Sequence, residues 1–306
     1  MIFPLYGQNN SYGLSFGPQF GFIHGQSLEL VYPQPGETKN NLLSELKYDI
    51  KPVFYYGLIA EFKKKNPYIT PGFFASISFK AGIPGDSGTH ENRDWLSPEY
   101  VALTNFSSHK NYTEEMYIAD IILGVSIPVT SRIYLKPLLS GSWMRFSFSG
   151  KNGYIQYAKL GTNGYSPIKD AEKIPCIGEV ITYKQDWFLL AIGFSIGTEI
   201  FNPFFFDFSV KLSNFTYCTA TDHHILRNDE FKDITSNGFY FEPELNVSIF
   251  LKPFELSLNF AYRNIGKTIG ESYIKENKES QYFLSPNNAG AGISFLDTRF
   301  VVTCHF

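Results

Sequence analysis

Two short stretches of this 306-residue chain carry residue types that do chemistry. Thr221-Asp222-His223-His224 sets Asp222 and His224 two residues apart, and Asn92-Arg93-Asp94-Trp95 sets Asn92 and Asp94 at the same spacing. On a β-strand that spacing puts both side chains on one face. An Asp beside a His can fix the imidazole tautomer and stabilise the imidazolium, which makes the His a general base. Solvated rims also carry Asp and His, so the pair needs an element that aims it. Two other arrangements look reactive. Gly85-Asp86-Ser87-Gly88 has the letters of a serine-protease nucleophile turn, but Gly, Asp and Ser are what any turn uses. His90, His109, His223 and His224 could be grouped as metal ligands, yet they show no helical i, i+4 pair and no Cys partner. Neither a metal nor a cofactor is expected.

The element that aims Asp222 and His224 is the stretch Phe204–His224. Phe204, Phe206, Phe208, Val210 and Leu212 form one apolar face; Asp207, Ser209, Lys211 and Ser213 form the other. The phase then slips, with Phe215 and Tyr217 bulky at odd positions, which predicts a β-bulge near Asn214. Beyond it the inward set becomes Thr216, Cys218, Ala220, Asp222 and His224. This strand builds a wall and lifts an acid and a base to its rim.

The rest of the chain repeats the same pattern. Aromatics make up 17%, with thirty Phe and twenty Tyr against three Met, as girdled strands require. No run of about 18 apolar residues exists for a membrane helix. The balance of 26 basic and 29 acidic residues gives a net charge of -3 and no polyelectrolyte partner, so nucleic acid is not expected. Cys176, Cys218 and Cys304 form no disulfide framework. Residues 1–11 read as an irregular lead-in without signal-peptide character. The chain is then either cytoplasmic or a mature form whose export signal gave way to Met1; the strands favour the second.

Strands are predicted over 12–32, 41–62, 69–83, 113–128, 132–150, 178–200, 204–224, 239–252, 254–263 and 288–306. Connections alternate between short turns (63–68, 129–131, 201–203 and 253) and long polar loops (33–40, 84–112, 151–177, 225–237 and 275–287). That asymmetry predicts one domain over 1–306, a ten-stranded antiparallel transmembrane β-barrel with short periplasmic turns and long extracellular loops. A soluble barrel would hide its apolar face instead, but here the other face carries Asp207, Lys211, Glu242, Glu244, Glu255 and Arg263 in mid-strand, which a small sealed core tolerates only when paired. The ending Phe300, Val302, Cys304, Phe306 has the form of an outer-membrane assembly signal. Odd strands run outward, so Asp222 and His224 reach the extracellular rim beside the loop that holds Asn92 and Asp94.

With those motifs in order, the chain resembles the omptins, outer-membrane aspartyl-type proteases with ten strands. The resemblance rests on ELVY (Glu29–Tyr32), LLSELKYD (Leu42–Asp49), RDW (Arg93–Trp95), MRFSF (Met144–Phe148), ITYKQ (Ile181–Gln185), TDHH (Thr221–His224) and NAGAGI (Asn288–Ile293). It implies a water held between His224 and an opposite acidic couple, with Asp222 orienting His224 and Asp94 steadying the water. It also implies peptide or protein substrates at the cell surface. The chain departs from the family at the first acid of the couple, now Asn92, and at Asn105, so weakened or pH-shifted activity is expected. Of two acids that would hold a basic substrate residue, Glu29 is kept and the other is Ala220, so that preference should weaken. Of two lipopolysaccharide-gripping arginines, Arg145 is kept and the other is Asp186, so outer-membrane lipid is an expected partner but lipopolysaccharide dependence is not. A monomer is expected. The competing reading is an inactive barrel that binds host or adhesion ligands through its loops; a porin is a third, disfavoured because ten strands enclose little beyond their own side chains.

Overall fold

The structure, a computed structural model, describes residues 12–306 except 35, 37, 65, 66, 277, 278 and 280. The expected lead-in 1–11 therefore lies outside the described residues. The sheet runs β1 (Tyr12–Tyr32), β2 (Ser44–Lys64), β3 (Gly72–Gly82, resumed as Gly85–Asp94), β4 (Asn105–Pro128) and β5 (Ile133–Tyr157). It continues with β6 (Ile174–Phe201), β7 (Phe204–His224), β8 (Asp229–Ser236, resumed as Tyr240–Leu251), β9 (Phe254–Ile265, resumed as Ile269–Lys275) and β10 (Phe283–His305). All neighbours are antiparallel, and β10 pairs back onto β1 from Ser15↔His305 to Tyr32↔Asn288. The ring is closed and leaves no strand edge, as a lipid-spanning sheet requires.

Side-chain alternation follows the environment on each face. On β7 the outward Phe208 and Leu212 are exposed, whereas the inward Ser209 and Lys211 are buried. The bulge lies where the phase slip predicts it. Register against β6 jumps between Leu212 and Phe215, and the Phe215 N–H donates to Ser213 Oγ at 2.7 Å. The extra residue resets the alternation, so Thr216, Cys218, Ala220 and Asp222 are all buried in the lumen. An outward belt of Phe and aliphatic residues ends at an upper ring that includes Phe22, Phe54, Phe79, Tyr117, Trp143, Phe188 and Tyr217. Phe22 and Phe54 pair across β1 and β2, Phe79 and Tyr117 across β3 and β4, and Phe188 and Tyr217 across β6 and β7. This ring closes the apolar belt on the side of the long loops.

Inside the belt the lumen is filled. Lys80 bridges to Asp297 at 2.7 Å and Lys211 to Glu242 at 2.6 Å, while Arg263 pairs with both Glu242 and Asp120. Arg299 joins Glu244 and Asp297. Above this network lies a layer of buried rings in which Tyr48 stacks on Tyr183 at 4.7 Å and on Phe148 at 5.4 Å. The mid-strand charges that argued against a sealed apolar core are thus present as a paired network, and the lumen is plugged.

Four of the five loops are shorter than expected, whereas the first, expected over 33–40, extends to 43. Residues 85–94 and 105–112, expected in the loop 84–112, continue β3 and β4, and only 95–104 connect them. Likewise 151–177 contracts to 158–173, 225–237 to 225–228, and 275–287 to 276–282. The segment 158–173 itself holds a small hairpin (Leu160–Gly161 with Gly164–Tyr165) and a 3-10 turn (Ile168–Asp170). Above the membrane both faces of the sheet meet polar surroundings, so hydrophobic alternation disappears while the hydrogen-bond ladder persists. The strand signal stops at the lipid; the strands do not. The Gly85–Gly88 stretch is part of this extension. Register slips between Asp86 and Gly88, Gly88 adopts φ +110°, and a Cβ there would meet Asp49 at 2.9 Å. Ser87 is buried within hydrogen-bonding range of Asn111, so the motif is a bulge and not a nucleophile turn.

Candidate active site

The strand extensions bring the two reactive stretches together. The upper half of β3 pairs with β2, Leu46↔Asn92 and Ser44↔Asp94, and with β4, Asn92↔Ser107 and Asp94↔Asn105. Asn92 and Asp94 therefore share one face, with Ser44 and Asn105 directly beside Asp94. Ser44 Oγ lies 2.7 Å from Asp94 Oδ1 and 3.1 Å from Asn92 Oδ1; its single proton serves the shorter contact. The amides of Asn92 and Asn105 both reach Asp94 Oδ2 at 3.4 Å. The two asparagines thus surround one carboxylate with donors instead of adding charges beside it. Burial nonetheless raises the Asp94 pKa, opposed by Ser44, by Asn105 and by the charges of His224 and Arg227.

Across the cleft, Asp222 is buried and its Oδ2 stands 2.6 Å from His224 Nε2. The other ring nitrogen, Nδ1, lies 3.0 Å from a guanidinium nitrogen of Arg227. A carboxylate close to Nε2 and a guanidinium donor at Nδ1 match the tautomer with its proton on Nε2. The Phe231 ring meets the imidazole edge-on at 5.4 Å and limits its rotation. A four-residue turn, 225–228, makes this possible. Its Asn228 takes φ +59°, a conformation Asn tolerates, and folds β8 back against β7 with Asp222 opposite Phe231.

Glu29, Asn92, Asp94, Asp222 and His224 line a single cleft of about 340 Å³ at the barrel mouth. His90 also lines it, fully buried and stacked 4.5 Å from Tyr48; burial and the charges of His109 and His224 hold its pKa well below the ordinary value. His223 faces the other way, paired in register with Glu230, so the four histidines do not converge. Ala220 lies one inward step below Asp222. Arg145 stands apart on the outer wall, just above Trp143, and Asp186 takes its guanidinium in a two-pronged pair at 2.8 and 3.1 Å. Two contributors escaped sequence reading: Ser44 and Arg227. Ser44 gains its place from register alone. Arg227 is three residues from His224, a spacing that a tight turn would have flagged.

The loop that carries Trp95 is held from β2's side. Trp95 N–H donates to the Leu43 carbonyl at 2.8 Å, and the Asn40 amide faces the carbonyls of Trp95, Ser97 and Tyr100 at 3.1–3.3 Å.

A family model described as the omptin family matches residues 10–304. The chain belongs to the omptin family. The crystal structure of the outer membrane protease OmpT from Escherichia coli superposes with a TM-score of 0.79 at 16% identity, covering 97% of this chain and 98% of that one. At that identity the likeness shows the fold. The translocator domain of the autotransporter NalP from Neisseria meningitidis (TM-score 0.34, 10% identity, 98% of this chain and 90% of that one) and the toluene transporter TodX from Pseudomonas putida (0.31, 10%, 96% and 90%) are too distant to carry an argument. No curated protein sequence matches the chain. This omptin is an outer-membrane barrel of the protease type.

Proposed function

We propose that this omptin is an endopeptidase that cleaves extracellular peptides lying across the barrel mouth, using water activated by the Asp222–His224 pair. The observation that carries the reading is the 2.6 Å contact between Asp222 and His224 in a cleft whose other wall is Asp94. The scissile carbonyl meets a water held between His224 Nδ1 and Asp94, once Arg227 has swung from that nitrogen. The water oxygen bonds to the carbonyl carbon as His224 takes its proton, and Asp222 stabilises the imidazolium. Collapse of the tetrahedral intermediate breaks the C–N bond, and His224 returns the proton to the leaving amine. Asn92 and Asn105 serve as amide donors that keep Asp94 oriented; neither can share a proton as a second carboxylate would.

The test is cleavage of a mixed-sequence peptide library by refolded protein in detergent, read by mass spectrometry across pH. Cleavage that disappears in His224→Ala supports the reading. No cleavage at any pH, with or without lipopolysaccharide, would leave the second reading, a surface adhesion or binding barrel. That alternative draws on Arg227 at Nδ1 and on Asn92 in place of an acid.

A further inference from the structure

Attack of water on a peptide turns the carbonyl oxygen into an oxyanion, and catalysis needs a donor that meets this charge. Glu29, Asp94 and Asp222 all line the cleft and would repel it. Among the described residues that line the cleft, Arg227 is the one Lys or Arg. Its side chain is 61% exposed and not packed in place, whereas its backbone is anchored. The Arg227 N–H donates to the His224 carbonyl at 3.1 Å, and the Ile225 N–H donates to the Val180 carbonyl at 3.0 Å. The turn 225–228 is thus tied to both β7 and β6.

The guanidinium has two footholds. A terminal nitrogen lies 3.0 Å from His224 Nδ1, and Nε lies 3.3 Å from Asp229 Oδ2. Its charge also reaches across the cleft, where with Ser44, Asn105 and His224 it opposes the rise that burial imposes on the Asp94 pKa. The foothold on Nδ1 is lost during the reaction. Bound water displaces the guanidinium there, and once Nδ1 takes the water's proton the contact cannot re-form. No lone pair remains to accept, and imidazolium repels guanidinium. Negative charge appears close by in the same step, because a water at Nδ1 sits about 3 Å from the carbonyl it attacks. With five N–H donors, a guanidinium can keep Asp229 and still turn toward that oxygen.

We propose that Arg227 is a further catalytic residue, whose guanidinium moves from His224 Nδ1 onto the oxyanion of the tetrahedral intermediate. As the water oxygen bonds to the carbonyl carbon, the C=O π pair moves onto oxygen and the water's proton goes to Nδ1. Arg227 donates hydrogen bonds to that oxygen and gives up no proton. Collapse re-forms C=O, breaks C–N and sends the proton to the leaving amine, and the guanidinium returns to Nδ1. This deepens the endopeptidase reading above and rests on it, and the test separates the two.

The probes are a cleavable peptide and its phosphinate analogue, in which a tetrahedral anion replaces the scissile amide. Arg227→Gln lowers kcat by about a hundredfold or more and leaves KM nearly unchanged. The phosphinate loses affinity by a similar factor, and Arg227→Lys, which keeps the charge, recovers part of both. A rise in turnover in Arg227→Gln would make the guanidinium a plug over Nδ1 and overturn the assignment. Unchanged turnover overturns it as well, and in either case the protease stands. Turnover that falls while phosphinate affinity holds also overturns it, since Arg227 would then act by positioning His224. If wild type cleaves no peptide, calorimetric titration decides. Tighter binding of the phosphinate than of the parent peptide, lost in Arg227→Gln, supports the oxyanion site without the protease, and no such preference overturns it.

Discussion

The middle of the lumen and its mouth hold similar numbers of buried acids and treat them in opposite ways. In the middle, Glu242 is clamped between Lys211 and Arg263, with the Tyr240 hydroxyl donating to it at 2.7 Å. At the mouth, Glu29 receives a long 3.4 Å contact from Tyr48 and shares a hydrogen bond with the Asp222 carboxyl, and Asp233 keeps an oxygen without a partner. A paired network is finished: it fills a narrow ring and asks nothing of a ligand. An unpaired cluster is unfinished, and its electrostatic cost is relieved only by protons or by an incoming cation. The difference teaches where function sits in a barrel of this size. Charge alone marks nothing, since the lumen is charged throughout; missing counter-charge sets the proposed site apart.

The comparison breaks most sharply by exchanging the damage. His224→Ala and Asp222→Asn at the mouth should each lower kcat/KM by about a thousandfold or more while thermal unfolding barely moves. Equal activity in either variant would remove the proposed mechanism. In the middle, Glu242→Gln strips the partner from Lys211 and Arg263 and should cost about 3–5 kcal/mol of stability, with turnover per folded molecule unchanged. Urea unfolding followed by the gel shift of the folded barrel reads this out.

The mouth should also respond to pH with a sign of its own. Burial and the Asp222 charge push the Asp233 pKa up to about 7, from an ordinary value of 3.8. The folded state then keeps a proton that the unfolded chain releases, so stability falls as pH rises from about 4 to 7 and stays low above. The ceiling for this single group is about 4 kcal/mol. Asp233→Asn should therefore raise the midpoint of thermal unfolding at pH 8 and leave it nearly unchanged at pH 4. An equal shift at both values would show that Asp233 acts through packing.

Smaller effects sharpen the remaining parts. Asn92→Asp puts a second carboxylate beside Asp94, where the two would share a proton. Turnover should rise several-fold, with the acidic limb of the pH profile moved upward; a flat response would make the asparagine an innocent replacement. On the outer wall, Arg145 already has its anion in Asp186. Added lipopolysaccharide should change turnover less than twofold, and a large stimulation would mean that the pair opens to admit a lipid phosphate.

Much of this is legible in the amino-acid sequence itself. Phe208 and Leu212 against Ser209 and Lys211 marked a lipid-facing strand, and the switch to Phe215 and Tyr217 located the bulge to within a residue. Those signals are local, because side chains alternate strictly and lipid enforces apolarity on one side. The same rule explains the failures at 85–94, 105–112 and 229–236. There water lies outside the sheet and polar residues on both faces erase the pattern, so extended strands read as loops.

The sequence by itself determined which residues share a face. Asp222 with His224, and Asn92 with Asp94, follow from a period of two and need no fold. Only the tertiary structure decided which faces meet. Ser44 beside Asp94, Arg227 folded onto His224 and Asp233 opposite Ala220 all depend on cross-strand register, which turn lengths and ring closure set together. Alternation is written residue by residue, whereas register is a relation between distant strands. That is why Asp233, the acid opposite Ala220, became visible only across the hairpin.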